Sequence, residues 1–373
     1  MLDFLDLTPE CPGPMIRRMS STASLPFAVS VVPSSRLPER LPALTQFALG
    51  EGITSPARHP SWLNVLREGL DHETYAIEAV AEGQTCGFLP LAFVSSLLFG
   101  RFLVSLPYLS SNGVVAAHPD VQSAIIERAV GLADELDVRY LELRHEAPIE
   151  HPLLDGKLTS KVHMRLALPD STEKLWKGFD SKVRNQVRKG EKHHSVIQWG
   201  GEDLLDPFYE VLSRNMRDLG TPVFGKELFG TILKTFRGDA EICVVRAGEA
   251  PAAAALLLHG RGMTEVPTAS SLKEYNSTSA NMLMYRHLID RAVDRGQKVF
   301  DFGRSTLDGP TFKFKKQWGA EPVPATWQYH LRDGQLGDMR PDSPRYQRAI
   351  RLWQRLPVRL TQYLGPPIVR GIP

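Results

Sequence analysis

Two stretches of the chain set out apolar and polar positions in the same succession. At 77–91 two short apolar runs flank Gly83 and predict a β-hairpin, and at 242–258 the same design recurs around Gly248. Each hairpin is followed by apolar positions at helical spacing. Ile125, Ala129 and Leu132 predict a helix over 121–136; Leu283, His287, Leu288 and Ala292 predict one over 279–295. Each helix leads into a strand that carries an acid, Glu142 in 139–144 and Asp301 in 298–304. The hairpin turns lie 165 residues apart and the acids 159. Matching order at nearly constant offset predicts an α/β (α+β) fold of two tandem units from an internal duplication. The first unit spans 27–168, opening on a strand over 27–32, and the second spans 169–335. Residues 1–26 lack periodicity and predict a disordered lead-in.

Two further helices stand out by charge. Asp170 and Glu173 have capping-box spacing and predict a helix reaching Lys192. Lys174, Lys177, Lys182, Arg184, Arg188, Lys189 and Lys192 outnumber Asp180 and Glu191 there, a net +5 over nineteen residues. Trp176, Phe179, Val183 and Val187 form its apolar stripe. The basic residues suit an anion cradle, with Lys182, Arg184 and Arg188 as candidate phosphate ligands. A separate C-terminal segment, 340–373, is expected to be basic and amphipathic, with a helix opened by Ser343-Pro344 and ended by Pro357. Arg345, Arg348, Arg351, Arg355 and Arg359 form one stripe; Ile350, Trp353, Leu356 and Leu360 form another. Such a segment either packs its apolar stripe on the second unit with the arginines in water, or lies on an anionic membrane surface.

Composition narrows the class. Net charge is only +2, so anion binding must come from local clusters rather than bulk attraction. The three cysteines are too few and too far apart for a disulfide framework or a zinc site, and imply a reducing, cytoplasmic home. The eleven histidines show no metal-ligand spacing, so no metal is expected. No G-x-S-x-G elbow, Walker loop or G-x-G-x-x-G occurs. Asp301 and Arg304 close a predicted strand, and a Gly-containing loop joins them to 311–319. There Phe312 and Phe314 alternate with Lys313 and Lys315, predicting a strand, before Lys316 and Trp318. Arg217 and Asp218 end a helix at Gly220, ahead of Pro222, and could line a cleft.

The segments SKVRNQVR (181–188), MRDLGTPV (216–223), DFGRS (301–305) and FKFKKQWGAEP (312–322) together resemble the FemAB-like family. Within it they resemble the branch associated with the exosortase/PEP-CTERM system of bacteria, as do LFGRFLVSLPY (98–108) and WQRLP (353–357). The resemblance runs from about residue 28 to the C-terminus. It implies two tandem GNAT-type acyltransferase domains. Relatives transfer an amino acid from aminoacyl-tRNA to an amine on a lipid-linked peptidoglycan precursor, or are described as acetyltransferase-like. A functionally important lysine after a phenylalanine maps to Phe314-Lys315. A phosphate-binding arginine before an aspartate maps to Arg217-Asp218. For a substrate-cleft tyrosine the candidates are Tyr275 and Tyr285. The coiled-coil arm of some relatives is missing.

These readings converge on an acyltransferase that forms an amide on an amino group. Lys315 is the expected oxyanion stabiliser, Lys313 or Lys316 would hold donor phosphates, and Asp301 would accept the amine's proton, with Arg304 beside it. No cofactor is expected to be resident; acyl-CoA, acyl carrier protein or aminoacyl-tRNA would serve as co-substrate. An intact Q/R-x-x-G-x-G/A loop is absent, with Arg246-Ala-Gly248 nearest, which leans away from a conventional acetyl-CoA site. Expected partners are an amine-bearing acceptor, lipid-linked in the resemblance, a tRNA or carrier protein, and an anionic membrane. The alternative is a non-catalytic module of the same fold that binds an anionic polymer or lipid.

Overall fold

The computed structural model describes residues 26–97, 99–332 and 344–373, so all of the expected lead-in but Pro26 lies outside the described residues. The first half runs β1 (Phe27–Pro33), α1 (Leu37–Gly50), α2 (Trp62–Leu70), β2 (Glu73–Ala81), β3 (Gln84–Ser96), β4 (Gly100–Val104), β5 (Val115–Ala116), α3 (Pro119–Glu135), β6 (Tyr140–His145) and β7 (Gly156–Ala167). Two added helices follow, α4 (Thr172–Gly178) and α5 (Ser181–Lys192). The pattern then repeats as β8 (Val196–Gly200), α6 (Leu205–Leu219), α7 (Lys226–Thr235), β9 (Ala240–Ala247), β10 (Ala250–His259), β11 (Met263–Ser271), α8 (Ala280–Asp294), β12 (Val299–Thr306), α9 (Pro310–Lys316) and β13 (Glu321–Leu331). Helices α10 (Pro344–Trp353) and α11 (Val358–Val369) close the chain.

All the strands join one mixed sheet in the order β1-β2-β3-β4-β6-β13-β7-β12-β11-β10-β9-β8, with β5 on β3. The order reads as a palindrome of the two repeats with their last strands exchanged: β13 pairs with β6, and β7 pairs with β12. The expected duplication is therefore present, and the two halves share their central strands. The first hairpin turns on Glu82 and Gly83, both at positive φ (49° and 79°), which matches the twist of a tight hairpin. Helices α1, α2, α6 and α7 bury one continuous apolar layer across both halves, including Leu44, Leu63, Phe208 and Phe229. The opposite face is covered by α3 in the first half and by α4, α5, α8 and α9 in the second.

Three local expectations are corrected. The basic segment is two helices rather than one. Ser171, not Asp170, caps α4 by accepting the Lys174 N–H at 3.3 Å, while Asp170 pairs with the Lys174 ammonium at 2.8 Å. The chain turns extended at Phe179 and Asp180, and the Arg184 guanidinium donates to the carbonyls of Lys177 and Phe179 across that break. The expected Lys/Phe strand over 311–316 is the helix α9, started by Pro310 in its first turn. At the C-terminus the apolar stripe does not face outward as a whole. Ile350, Trp353 and Leu356 are half-buried, with Ile350 against Gly220 of the α6 C-cap. Exposed instead are Leu352, Leu360, Tyr363 and Leu364, among Arg348, Arg351, Arg355 and Arg359. The side chain of Arg345 lies outside the described ones. This segment straps the halves together: Gln362 donates to Ser213 Oγ (2.9 Å) and the Tyr108 hydroxyl donates to the Arg370 carbonyl (2.7 Å). Among the described residues no helix is long and apolar enough to cross a membrane.

Candidate active site

The two parallel strand pairs near the middle of the sheet each hold register for three residues and then diverge. In the first half β4 and β6 pair up to Val104↔Glu142; in the second, β11 and β12 pair up to Glu265↔Asp301. Beyond Asp301, β12 bulges at Gly303, whose φ of 77° suits a residue without Cβ. The Gly303 N–H donates to Asp301 Oδ1 at 2.7 Å. On α9, the i, i+3 pair Phe312 and Lys315 faces inward. The Lys315 ammonium donates to the carbonyls of Gly303 and Arg304, both at 2.9 Å. Burial brings its pKa down to about 8, helped by Arg304 and opposed by the Asp301 charge.

Asp301 is the hub of a buried ionic network built mainly by β7. Its Oδ2 lies 3.0 Å from Arg165 Nε and 3.2 Å from His163 Nδ1. Arg165 also binds Glu146 at 2.5 Å, and His163 Nε2 lies 2.6 Å from Ser111 Oγ. Burial alone would raise the Asp301 pKa; His163 and Arg165 outweigh it and hold the carboxyl below its usual range. Its register partner Glu265 has no ion pair among the described residues and accepts only from the Ser55 hydroxyl, so burial and the Asp301 charge push it upward. Of two adjacent acids, the better-paired one keeps the charge.

The first half's divergence opens into a cavity of about 450 Å³ lined by Arg58, Ser111, Gly113, Arg144, His145 and Glu146, among others. Arg144 pairs with Glu142 (2.6 Å) and stacks over Trp327 of β13, its guanidinium carbon 4.1 Å from the ring centre. Arg304 covers the same indole at 4.9 Å, so Trp327 sits near both divergence points. His145 Nε2 accepts the Val114 N–H (3.3 Å), which leaves Nδ1–H to donate to Gln328 Oε1 (3.1 Å). Burial agrees with this neutral tautomer, bringing the His145 pKa down to about 4. Gly113 is required here, because a Cβ would collide with the His145 ring.

The structure therefore brings Lys315, Asp301 and Arg304 together and disperses the other expected residues. Asp301 is almost fully buried and its oxygens accept from His163, Arg165 and Gly303, so it does not face a substrate amine. Arg217 binds Asp218 (2.6 Å) and the Leu356 carbonyl (3.0 Å), bracing the C-terminal strap rather than a cleft. Tyr285 and Trp318 are buried in the core behind α9, where Tyr285 stacks on Phe302 and meets half-buried Phe314 edge-on. Tyr275 is half-buried in the link between β11 and α8. Lys182, Lys313 and Lys316 are exposed, and Arg188 leans over Trp176 at 5.7 Å. Ser111, His163, Arg165, Glu265, Arg58 and Trp327 were not singled out from the sequence. The one usable signal was His163 and Arg165 at i, i+2, alternating with Val162, Met164 and Leu166 in β7.

Residues 177–316 match the family model described as an acetyltransferase (GNAT) domain. No curated protein matches the chain. Among solved structures it is similar to FemX (13% identity, 82% of this chain and 97% of that chain, TM-score 0.62). It is also similar to a tandem GNAT protein from the clavulanic acid biosynthesis pathway (11% identity, 83% and 100%, TM-score 0.52). A third is L-PGS from Bacillus licheniformis (12% identity, 80% and 93%, TM-score 0.51). At these identities the likeness establishes the fold alone, two GNAT-like units in tandem.

Proposed function

We propose that this tandem GNAT chain is an acyltransferase that forms an amide on an amino group of a cell-envelope, lipid or glycan precursor. The donor is an activated, phosphate-bearing acyl compound: acyl-CoA, acyl carrier protein or aminoacyl-tRNA. One observation carries the reading. Lys315 is a buried cation held by two backbone carbonyls where β11 and β12 part, with one of its three N–H bonds uncommitted among the described residues. A fixed positive charge in a low-dielectric site is what the oxyanion of a tetrahedral intermediate requires. The first-half cavity supports it, since Arg58 offers positive charge to a donor phosphate or an acceptor carboxylate. Asp301 serves this reading as a positioning residue, through His163 and Arg165.

The reading keeps the protein in the cytoplasm, with Cys86 and Cys243 as free thiols. It also includes peripheral contact with an anionic membrane through the outward faces of α10 and α11. The test incubates the protein with each labelled donor and the cell's lipid, glycan and wall-peptide fractions, followed by mass spectrometry. A new acylated amine supports the transferase. Unchanged fractions, together with tight binding to an anionic polymer, would instead establish the binding module of the same fold.

A further inference from the structure

We propose that Ser111 is a nucleophile and that Ser111, His163 and Asp301 form a relay that carries the acyl group as a serine ester between donor and amine. The idea rests on the acyl-transfer reading above, but its geometry stands apart from it. Ser111 Oγ lies 2.6 Å from His163 Nε2, and His163 Nδ1 lies 3.2 Å from Asp301 Oδ2. With Nδ1–H donating to the carboxylate, Nε2 presents its lone pair to the hydroxyl, as a general base must. The three groups come from the loop after β4, from β7 and from β12, so the relay exists only because the halves exchange strands.

Each member is fixed by a neighbour. The Trp327 indole N–H donates to the Ser110 carbonyl (3.2 Å). The Asn112 N–H donates to the Arg144 carbonyl (2.8 Å), and its side-chain amide donates to the Ala57 carbonyl. Ser111 is thus held on both sides, and Arg165 and the Gly303 N–H hold Asp301. Ser111 also borders the 450 Å³ cavity, a size that admits a small acyl compound. Arg58 lines the same cavity, half-buried within reach of the Glu146 and Glu265 charges, and adds positive charge to the wall that Ser111 shares.

In the first step Oγ attacks the donor's acyl carbon and gives its proton to His163 Nε2. The new O–C bond forms, the donor's C–S or C–O bond breaks, and His163 protonates the departing thiolate or alkoxide. In the second step the amine attacks the ester carbon and loses a proton to Nε2. The Oγ–C bond breaks, Oγ recovers that proton, and the amide leaves with serine restored.

The full chain is treated with a fluorophosphonate probe and, separately, with p-nitrophenyl acetate. We expect one adduct on the peptide containing Ser111 and a stoichiometric burst of nitrophenolate. Ser111→Ala should lose both, and His163→Gln should slow labelling by about 10²–10⁴-fold while circular dichroism shows the fold intact. A folded wild type that gives no Ser111 adduct overturns the relay, as does Ser111→Ala keeping full amide-forming turnover. Labelling at Ser111 with no amide formed from any donor would leave the relay standing and remove the acyl-transfer reading.

Discussion

The two strand divergences occupy equivalent places in the repeats and solve the same electrostatic problem differently. Each ends its parallel register on a buried acid of the later strand, Glu142 in one and Asp301 in the other. Glu142 is neutralised within its own strand, by Arg144 two residues on. Two residues beyond Asp301 stands Gly303, which offers an N–H and no side chain. The missing cation comes from β7, the first half's last strand, as Arg165, with the His163 imidazole beside it. One divergence is self-sufficient and opens into a cavity. The other is completed by its sister repeat and closed over by Lys315.

The sharpest way to break this contrast is to remove the two acids. Asp301→Asn takes the shared carboxylate from the Arg165 guanidinium and the His163 imidazole in a nearly dry site and should cost about 3–5 kcal/mol. Glu142→Gln should cost less, because Arg144 keeps the Leu109 carbonyl and the Trp327 face. Denaturant unfolding of both variants decides it, and equal losses would refute the asymmetry. The Asp301 carboxyl is held low in the folded state, so its contribution is full at neutral pH. It fades only as acid carries the pH down through that lowered value.

Next in size is the second divergence's own cation. Lys315→Met should reduce turnover by about 10²–10³-fold, the usual cost of one oxyanion donor. Lys313→Met and Lys316→Met, both at exposed positions, should change it little. Wild-type turnover should fall about tenfold per unit as pH rises beyond about 8, where the ammonium deprotonates. A rate that rises through pH 8 would make Lys315 a base instead and sink the oxyanion role. A smaller effect is expected at the bulge. Gly303→Ala must hold a Cβ at φ 77° and should cost about 1–2 kcal/mol in unfolding free energy. An unchanged stability would show that the bulge does not depend on glycine.

The repeats were legible because hairpins and amphipathic helices are encoded locally. The strand exchange was not, since nothing in the mixed polar and apolar residues of β7 and β13 says which half each should pair with. Helix α9 was misread because Phe312 and Phe314 alternate over too few residues to separate a period of 2 from 3.6; Pro310 was the better guide. Asp301, Arg304 and Lys315 stood out as charges clustered around a strand end. Ser111, His163 and Glu265 did not, because the partner of each lies tens to hundreds of residues away. Their meaning comes from register, which a single sequence does not display.

The smallest expected effect concerns the strap that spans both halves. Its inward residues pack on α6, so truncation would confound folding with binding; surface substitutions do not. Leu360, Tyr363 and Leu364 share the side of α11 opposite buried Thr361, Gly365 and Val369. Residues 344–373 contain no acid, and Arg348, Arg351, Arg355 and Arg359 are exposed. A two-fold contact between copies would set these arginines against one another, whereas anionic headgroups would match them. The full chain should therefore sediment with phosphatidylglycerol-containing vesicles and not with phosphatidylcholine alone, and rising salt should release it. Each of Arg351→Gln, Arg355→Gln and Arg359→Gln should weaken the partition by about fivefold, near 1 kcal/mol apiece. Leu360→Ser with Tyr363→Ser should weaken it as well, because the apolar side chains would no longer enter the interface. If the serine variant binds as before, the face reads charge alone and is a polyanion surface rather than a membrane one.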